Sequence, residues 1–240
     1  MKQTCLFFKY YRQVCSMSNM HNTPAHRSLR SPALTGRAAA APKRSRRTAA
    51  VSAPDVRERI LDAASTLFYQ RGVRAVGVDL VVQEAAVAKT SLYRYFPTKD
   101  DLIVAFLERE DLEFWAVWDG VAKQHPDDPV GELDAHIRWI SGRLARSNYR
   151  GCPQINVAAE FAEEDHPARQ VSKRHMQALR SRLYGIVKRL RAPRPDQLAA
   201  QLAVLINGAF VSSGLLSPEE TTDVLLGSLI ALLAGARVGR

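Results

Sequence analysis

The chain has 240 residues, 46% of them hydrophobic, enough to bury a substantial core in one or two domains. Its formal net charge is +10, yet ten of the 34 basic residues and none of the 24 acidic ones lie in residues 1–54, so from residue 55 onward bases and acids balance. The excess charge therefore describes a tail, and a nucleic-acid reading has to stand on a motif. Cys5, Cys15 and Cys152 are too few and too scattered for a disulfide framework or a zinc site, which fits a reducing, cytoplasmic setting. The opening MKQTCLFFKYY is interrupted by Lys9 and Arg12, unlike a signal peptide. No run of about 18 apolar residues is present. The least polar stretch, residues 197–218, still holds Gln197, Gln201 and Asn207, so no membrane partner is expected.

Residues 1–52 are rich in Ala, Pro, Ser, Thr and Arg, a mixture that cannot offset its ordering entropy by burial, and a disordered basic extension is expected there. The KRSRR cluster at residues 43–47 can run along phosphates or enter a minor groove, and can equally be a solvated linker. Met17 and Met20 offer alternative translation starts. From Asp55 the pattern turns helical, with Val56, Ile60, Ala64, Leu67 and Phe68 in one stripe. Ser52 followed by Asp55 resembles a capping box, and Gly72 supplies the stop.

Residues 79–85 read as a short helix carrying Val81, Val82 and Ala85, and residues 86–88 as a tight turn. In KTSLYRYF, residues 89–96, Leu92 and Phe96 fall four apart on one helical face, while Lys89, Thr90, Ser91, Tyr93 and Arg94 lie largely on the other. Two short helices across a tight turn make a helix-turn-helix, whose second helix enters a DNA major groove. Leu67, Phe68, Val78, Val81, Leu92 and Phe96 should form the small core that holds it.

Pro97 ends that helix, and Thr98 caps the next with Asp101 at the box position. The free amide donors at the new N-terminus, with Lys99, suit a phosphate. The helix from residue 99 to about 119 carries Leu102, Ile103, Phe106, Trp115 and Trp118 away from the reading unit, as a lever between domains. Asp128 and Pro129 open a helix with Leu133, Ile137, Ile140 and Leu144. Residues 153–164 and 168–191 read as two more, the second striped by Val171, Leu179, Leu183, Ile186, Val187 and Leu190. The last two, at about 196–213 and 218–234, are poor in charge, and Ser217, Pro218 and Glu220 give the final one a capped start. Every periodicity is helical, so the expected fold class is all-α.

On these residues the chain resembles the tetracycline-repressor (TetR) family of bacterial transcription regulators. Residues 56–102 look like its N-terminal domain, and AAVAKTSLYRYFPTKDDL, residues 85–102, carries most of the likeness. GCPQINVAAEF, residues 151–161, with HPARQ, residues 166–170, resembles a segment recurrent in a subset of such regulators. Two departures stand out. Ala86 occupies the turn position where Gly is usual, at a cost of roughly 1 kcal/mol if it is left-handed, and Gly77 replaces the usual capping Thr.

The resemblance implies an N-terminal three-helix DNA-binding domain at residues 53–99 and a helical ligand-binding and dimerisation domain at residues 100–240. It further implies a homodimer through the last two helices, a palindromic double-stranded operator, a small-molecule inducer held in the bundle, and repression as the usual mode. Thr90, Ser91 and Tyr93 are the candidates for base edges or nearby phosphates, Lys89, Tyr95 and Lys99 for phosphates, and Arg94 for either. Tyr93 and Tyr95 can instead pack the domain. For the inducer pocket the candidates are Phe106, Trp115, Trp118, Trp139, Cys152, Asn156, Glu160 and Phe161, the aromatics of which serve equally as ordinary core. Cys152 is also a candidate redox thiol, although only Arg150 stands close to it in sequence. His166 and His175, near Glu163, Glu164 and Asp165, suit surface and capping roles better than a metal. No cofactor and no catalytic residue is expected, since no GxSxG, HExxH, P-loop or paired-acid motif occurs. The competing readings are an all-α enzyme and a helical adaptor docking through its last two helices.

Overall fold

The computed structural model describes residues 55–212 and 214–236. The basic extension with its KRSRR cluster, the Ser52 cap, the alternative starts at Met17 and Met20, and the expected helix end at Ser213 lie outside the described residues. The described chain is all-helical: α1 (Val56–Arg71), α2 (Val78–Ala85), α3 (Lys89–Tyr95), α4 (Lys99–Gln124), α5 (Pro129–Leu144), α6 (Pro153–Glu160), α7 (Pro167–Arg189), α8 (Pro195–Val211) and α9 (Pro218–Gly235).

Most boundaries follow local chemistry. Capping boxes form at Thr98/Asp101 and Ser217/Glu220. Asp128 accepts from the Gly131 N–H ahead of α5. At α1 the expected box is replaced by Asp55, whose side chain makes no capping bond. α4 runs past residue 119 to Gln124, because Gly120 weakens a helix without breaking it and the stop comes only before Pro126. The α6–α7 junction is also wider than the pattern implied. α6 ends at Glu160 rather than 164, and His166 caps α7 by accepting from the Ala168 N–H at 3.2 Å.

Ala86 is left-handed, with φ 51° and ψ 52°. The Ala86 and Val87 N–H groups donate back to the carbonyls of Gln83 and Val82, which closes α2 as a glycine-type cap would. Ala therefore keeps the left-handed turn shape and bears its steric cost.

Two apolar cores result. The first joins α1, α2 and α3 to the opening turns of α4, with Ile60, Leu67, Phe68, Val81, Leu92, Phe96, Leu102 and Phe106 buried together, and it reaches Val157 of α6 and Val171 of α7. Val78, expected in this core, packs at its edge half-buried. The second lies among α4, α5, α7, α8 and α9 around Phe114, Trp118, Ile137, Leu183 and Phe210. α4 contributes to both, so it is the rigid element common to them.

Candidate nucleic-acid interface and the interior of the bundle

α3 is seven residues long and too short to hold its own shape, so its orientation comes from packing. Leu92 is fully buried and Phe96 nearly so, which fixes one face of the helix. The opposite face is open: Lys89, Thr90, Tyr93 and Arg94 are exposed, Tyr93 by 42%, while Ser91 and Tyr95 are half-buried. Lys89 is drawn to Asp79 on α2, Nζ to Oδ1 at 2.7 Å. Arg94 lies along Tyr95, its guanidinium 4.9 Å from the ring centroid and 3.1 Å from the hydroxyl. Lys99, half-buried, follows at the start of α4, and desolvation lowers its pKa against the opposing charges of Asp100 and Glu160.

Arg59 braces the turn in a way the sequence pattern did not indicate. Its guanidinium donates to the carbonyls of Ala85 and Ala86 at 2.6 and 2.7 Å, tying α1 to the end of α2. Arg57 sits over the Phe96 ring at 5.4 Å. α3 is thus gripped from behind by a core and at its edges by two arginines of α1.

The family model of bacterial regulatory proteins, tetR family, matches residues 60–106, the span from α1 to Phe106. A TetR-family transcriptional regulator from Streptomyces coelicolor has the same fold, with a TM-score of 0.72 and 28% identity over 75% of this chain and 95% of that one. A TetR transcriptional regulator of Streptomyces avermitilis is 30% identical, with a TM-score of 0.67, over 77% of this chain and 99% of that one. The chain belongs to the TetR family. It is a transcriptional regulator with a DNA-binding helix-turn-helix, and α2 and α3 are that motif. KstR, an HTH-type transcriptional repressor of Rhodococcus jostii, is 48% identical over 54 residues, which are 22% of this chain and 26% of that protein.

In this TetR-family chain the eight residues singled out for an inducer pocket fall in three places. Phe106 packs edge-on against Phe68, centroids 5.8 Å apart. With Asn156 and Glu160 it lines an open cleft of about 390 Å³ between α1 and α6. The two polar residues there already have partners: Asn156 donates to the Arg150 carbonyl at 2.8 Å, and Glu160 accepts from the Val73 and Arg74 N–H groups. Trp115, Trp118 and Trp139 surround Phe114 in the second core, with centroids 4.8, 6.2 and 4.9 Å from its ring. Cys152 is buried at the edge of the same region. Phe161 packs at the edge of the first core and stacks on His166 at 3.7 Å.

Beside Phe114 lies a polar set centred on His175, for which a surface or capping role was expected; it is buried instead, because it sits on the core face of α7 between Val171 and Leu179. Asp111 Oδ1 and His175 Nδ1 are 2.5 Å apart, and the His175 ring is tilted against Trp115 at 5.0 Å. Burial works against charge on His175, but the Asp111 hydrogen bond, with Cys152 adding to it, outweighs this, and its pKa is pushed up to about 9. His136 is the opposite case. Desolvation, aided by the charges of His125 and Arg182, lowers its pKa to about 3, and it stacks as a neutral ring on Trp118 at 3.7 Å. Glu110, Arg143, Tyr149, Gln154 and His175 line a cavity of about 10 Å³, room for a single water. His175 was visible as a polar residue at a core position, four from both Val171 and Leu179. Glu110 and Asp111 gave no such signal within an acid-rich helix.

Proposed function

We propose that this regulator is a homodimeric repressor that sits on a near-palindromic operator and leaves it when a small molecule occupies the bundle interior. The reading rests above all on α3, an otherwise unstable helix held by Leu92 and Phe96 so that Thr90, Tyr93 and Arg94 face outward with Ser91 at the margin. Thr90, Ser91 and Tyr93 read base edges or nearby phosphates, Lys89, Tyr95 and Lys99 position the protein on phosphates, and Arg94 serves either role. Lys89 exchanges Asp79 for a phosphate on binding.

Dimerisation has its own support. Val204 and Val211 on α8 and Val224 and Ile230 on α9 are exposed large apolar residues on helices whose charges, Asp196, Glu219, Glu220 and Asp223, all lie in their first two turns. A Cβ placed on Gly208 or Gly227 would meet nothing within 4 Å, so a second copy's helices can approach closely there. Four such helices pair as an isologous bundle. Two copies of α3 then address half-sites one helical turn apart, about 34 to 36 Å. A ligand that prefers the non-binding spacing 100-fold shifts the equilibrium by about 2.7 kcal/mol. KstR's description as a repressor supports repression as the mode.

The test is a gel shift on the gene's own upstream region together with the size of the protein in solution. A specific, salt-sensitive shift by a dimer, weakened in Tyr93→Ala and Lys99→Ala, is expected. A strict monomer, or a chain that prefers no duplex over random competitor, would overturn the reading.

A further inference from the structure

We propose that the cavity between Arg143 and His175 binds a small single-ring aromatic acid as its monoanion, with one proton taken up at Glu110. The inference rests on the ligand-released reading above and names the chemistry of the ligand.

The donors point to an anion. His175 is 2% exposed, and with Nδ1 committed to Asp111 its buried Nε2 has no oxygen or nitrogen partner, only the weakly accepting Cys152 sulfur acting on the ring. Arg143 Nε is likewise buried and unpartnered, while its guanidinium lies over the rings of Phe114 and Trp139 at 5.6 and 5.7 Å. Two cationic donors left unmatched in the interior are costly, and a carboxylate supplies an acceptor to each. Gln154 is also 2% exposed. Its Nε2 donates to the Leu107 carbonyl at 2.9 Å, which leaves Oε1 as an orphan acceptor suited to a ring hydroxyl.

The walls set the size. One water fills the cavity as it stands. Tyr149, on the loop between α5 and α6, closes it with a single long hydrogen bond to the Phe210 carbonyl, 3.5 Å. Turning Tyr149 outward vacates the space of one phenol ring beside Phe114 and Phe210, so the ligand that replaces it has one ring.

Charge balance sets the proton. Arg143 and His175 are positive and Asp111 negative, so with Glu110 ionised the site is neutral and with Glu110 protonated it carries one positive charge. A bound monoanion therefore favours the protonated acid. Burial pushes Glu110 up to about 7, the charge of Glu113 adding to this and those of Arg143 and Arg109 opposing it. Tyr69 from α1, Tyr149 and Cys152 from the α5–α6 loop, and His175 from α7 are the other titratable groups facing this region.

The full chain is titrated with benzoate and the three hydroxybenzoates, with benzamide and benzylamine as neutral and cationic controls, by tryptophan fluorescence and calorimetry. At least one acid should bind at pH 6 and benzamide at least tenfold more weakly. The affinity should fall about tenfold per pH unit above 7, as uptake of one proton requires. His175→Gln and Arg143→Met should each weaken binding tenfold or more, whereas Glu110→Gln should bind and lose the pH dependence. Equal binding of benzoate and benzamide, a wild-type affinity independent of pH, or no binding by any of the four acids would overturn the proposal, and none of these needs a variant to fold. A chain that is released from its operator by some other compound yet binds none of the acids refutes this inference alone. One that binds benzoate but no DNA refutes the regulator reading and leaves the site standing.

Discussion

Arg74 and Glu160 hold each other at both ends: the Arg74 backbone N–H donates to Glu160 Oε2 at 2.8 Å, and the Arg74 guanidinium donates to the Glu160 carbonyl at 2.9 Å. The Val73 N–H adds a third bond to the same carboxylate at 3.1 Å. Gly72, at φ 86°, permits the approach, since a Cβ there would lie 3.0 Å from Glu160 Oε1. Glu160 ends α6, and the first turn of α6 carries Pro153 and Gln154, which line the interior cavity. One eight-residue helix thus links that cavity to the loop between α1 and α2, and Tyr69 reinforces the link by accepting from the Arg150 N–H at 2.9 Å.

Replacing Glu160 by Ala should cost about 1–3 kcal/mol of stability, because it strands two backbone donors at once. Arg74 N is exposed and regains water, so the lower part of that range is expected. Urea unfolding of wild type and variant measures it, and the joint is cosmetic if the midpoints coincide.

Ala86→Gly tests the strained turn. Left-handed Ala is disfavoured by roughly 1–2 kcal/mol, and Gly returns part of that gain as extra entropy in the unfolded chain, about 0.4–1 kcal/mol. A net stabilisation between zero and about 1.5 kcal/mol is expected, with unchanged operator affinity because Gly keeps the same left-handed turn. A thermal melt and a gel shift of the same preparation check both halves.

The helical layout and the helix-turn-helix were legible in the sequence because each rests on local chemistry. Thr98 with Asp101, Ser217 with Glu220, and the four-residue spacing of Leu92 and Phe96 act within a single turn. What was not legible depends on distant partners. Nothing near Arg59 indicates that it caps α2 from 26 residues away, and nothing near Asp111 announces His175, 64 residues on. The interior candidates were chosen as aromatics in helical stripes. Such a pattern marks burial without saying which buried surface meets which, so Phe106 and Trp118 entered one list and occupy different cores.

On DNA, Lys99→Gln should remove about one phosphate contact, and the slope of log affinity against log salt should fall by about 0.9. Tyr93→Ala should instead reduce the preference for operator over random duplex. Asp79→Asn, by releasing Lys89 from its 2.7 Å ion pair, should tighten binding to all duplexes alike. Filter binding at several salt concentrations separates the three. A Lys99 variant with an unaltered slope removes it from the interface.

The Asp111–His175 pair makes stability depend on pH in a definite direction. The folded imidazole is raised to about 9, above an unfolded value of about 6.5, so the folded state holds a proton that the unfolded chain has lost between those limits. Its contribution is therefore complete below about 6.5 and disappears as pH rises through 9. Asp111→Asn removes the counter-charge and leaves His175 buried and neutral. The gap between the unfolding free energies of wild type and variant should then shrink by on the order of 3 kcal/mol from pH 6 to above pH 9. A gap that stays constant, or widens toward alkaline pH, would mean that His175 is neutral in the folded protein and that its bond to Asp111 is an ordinary uncharged one.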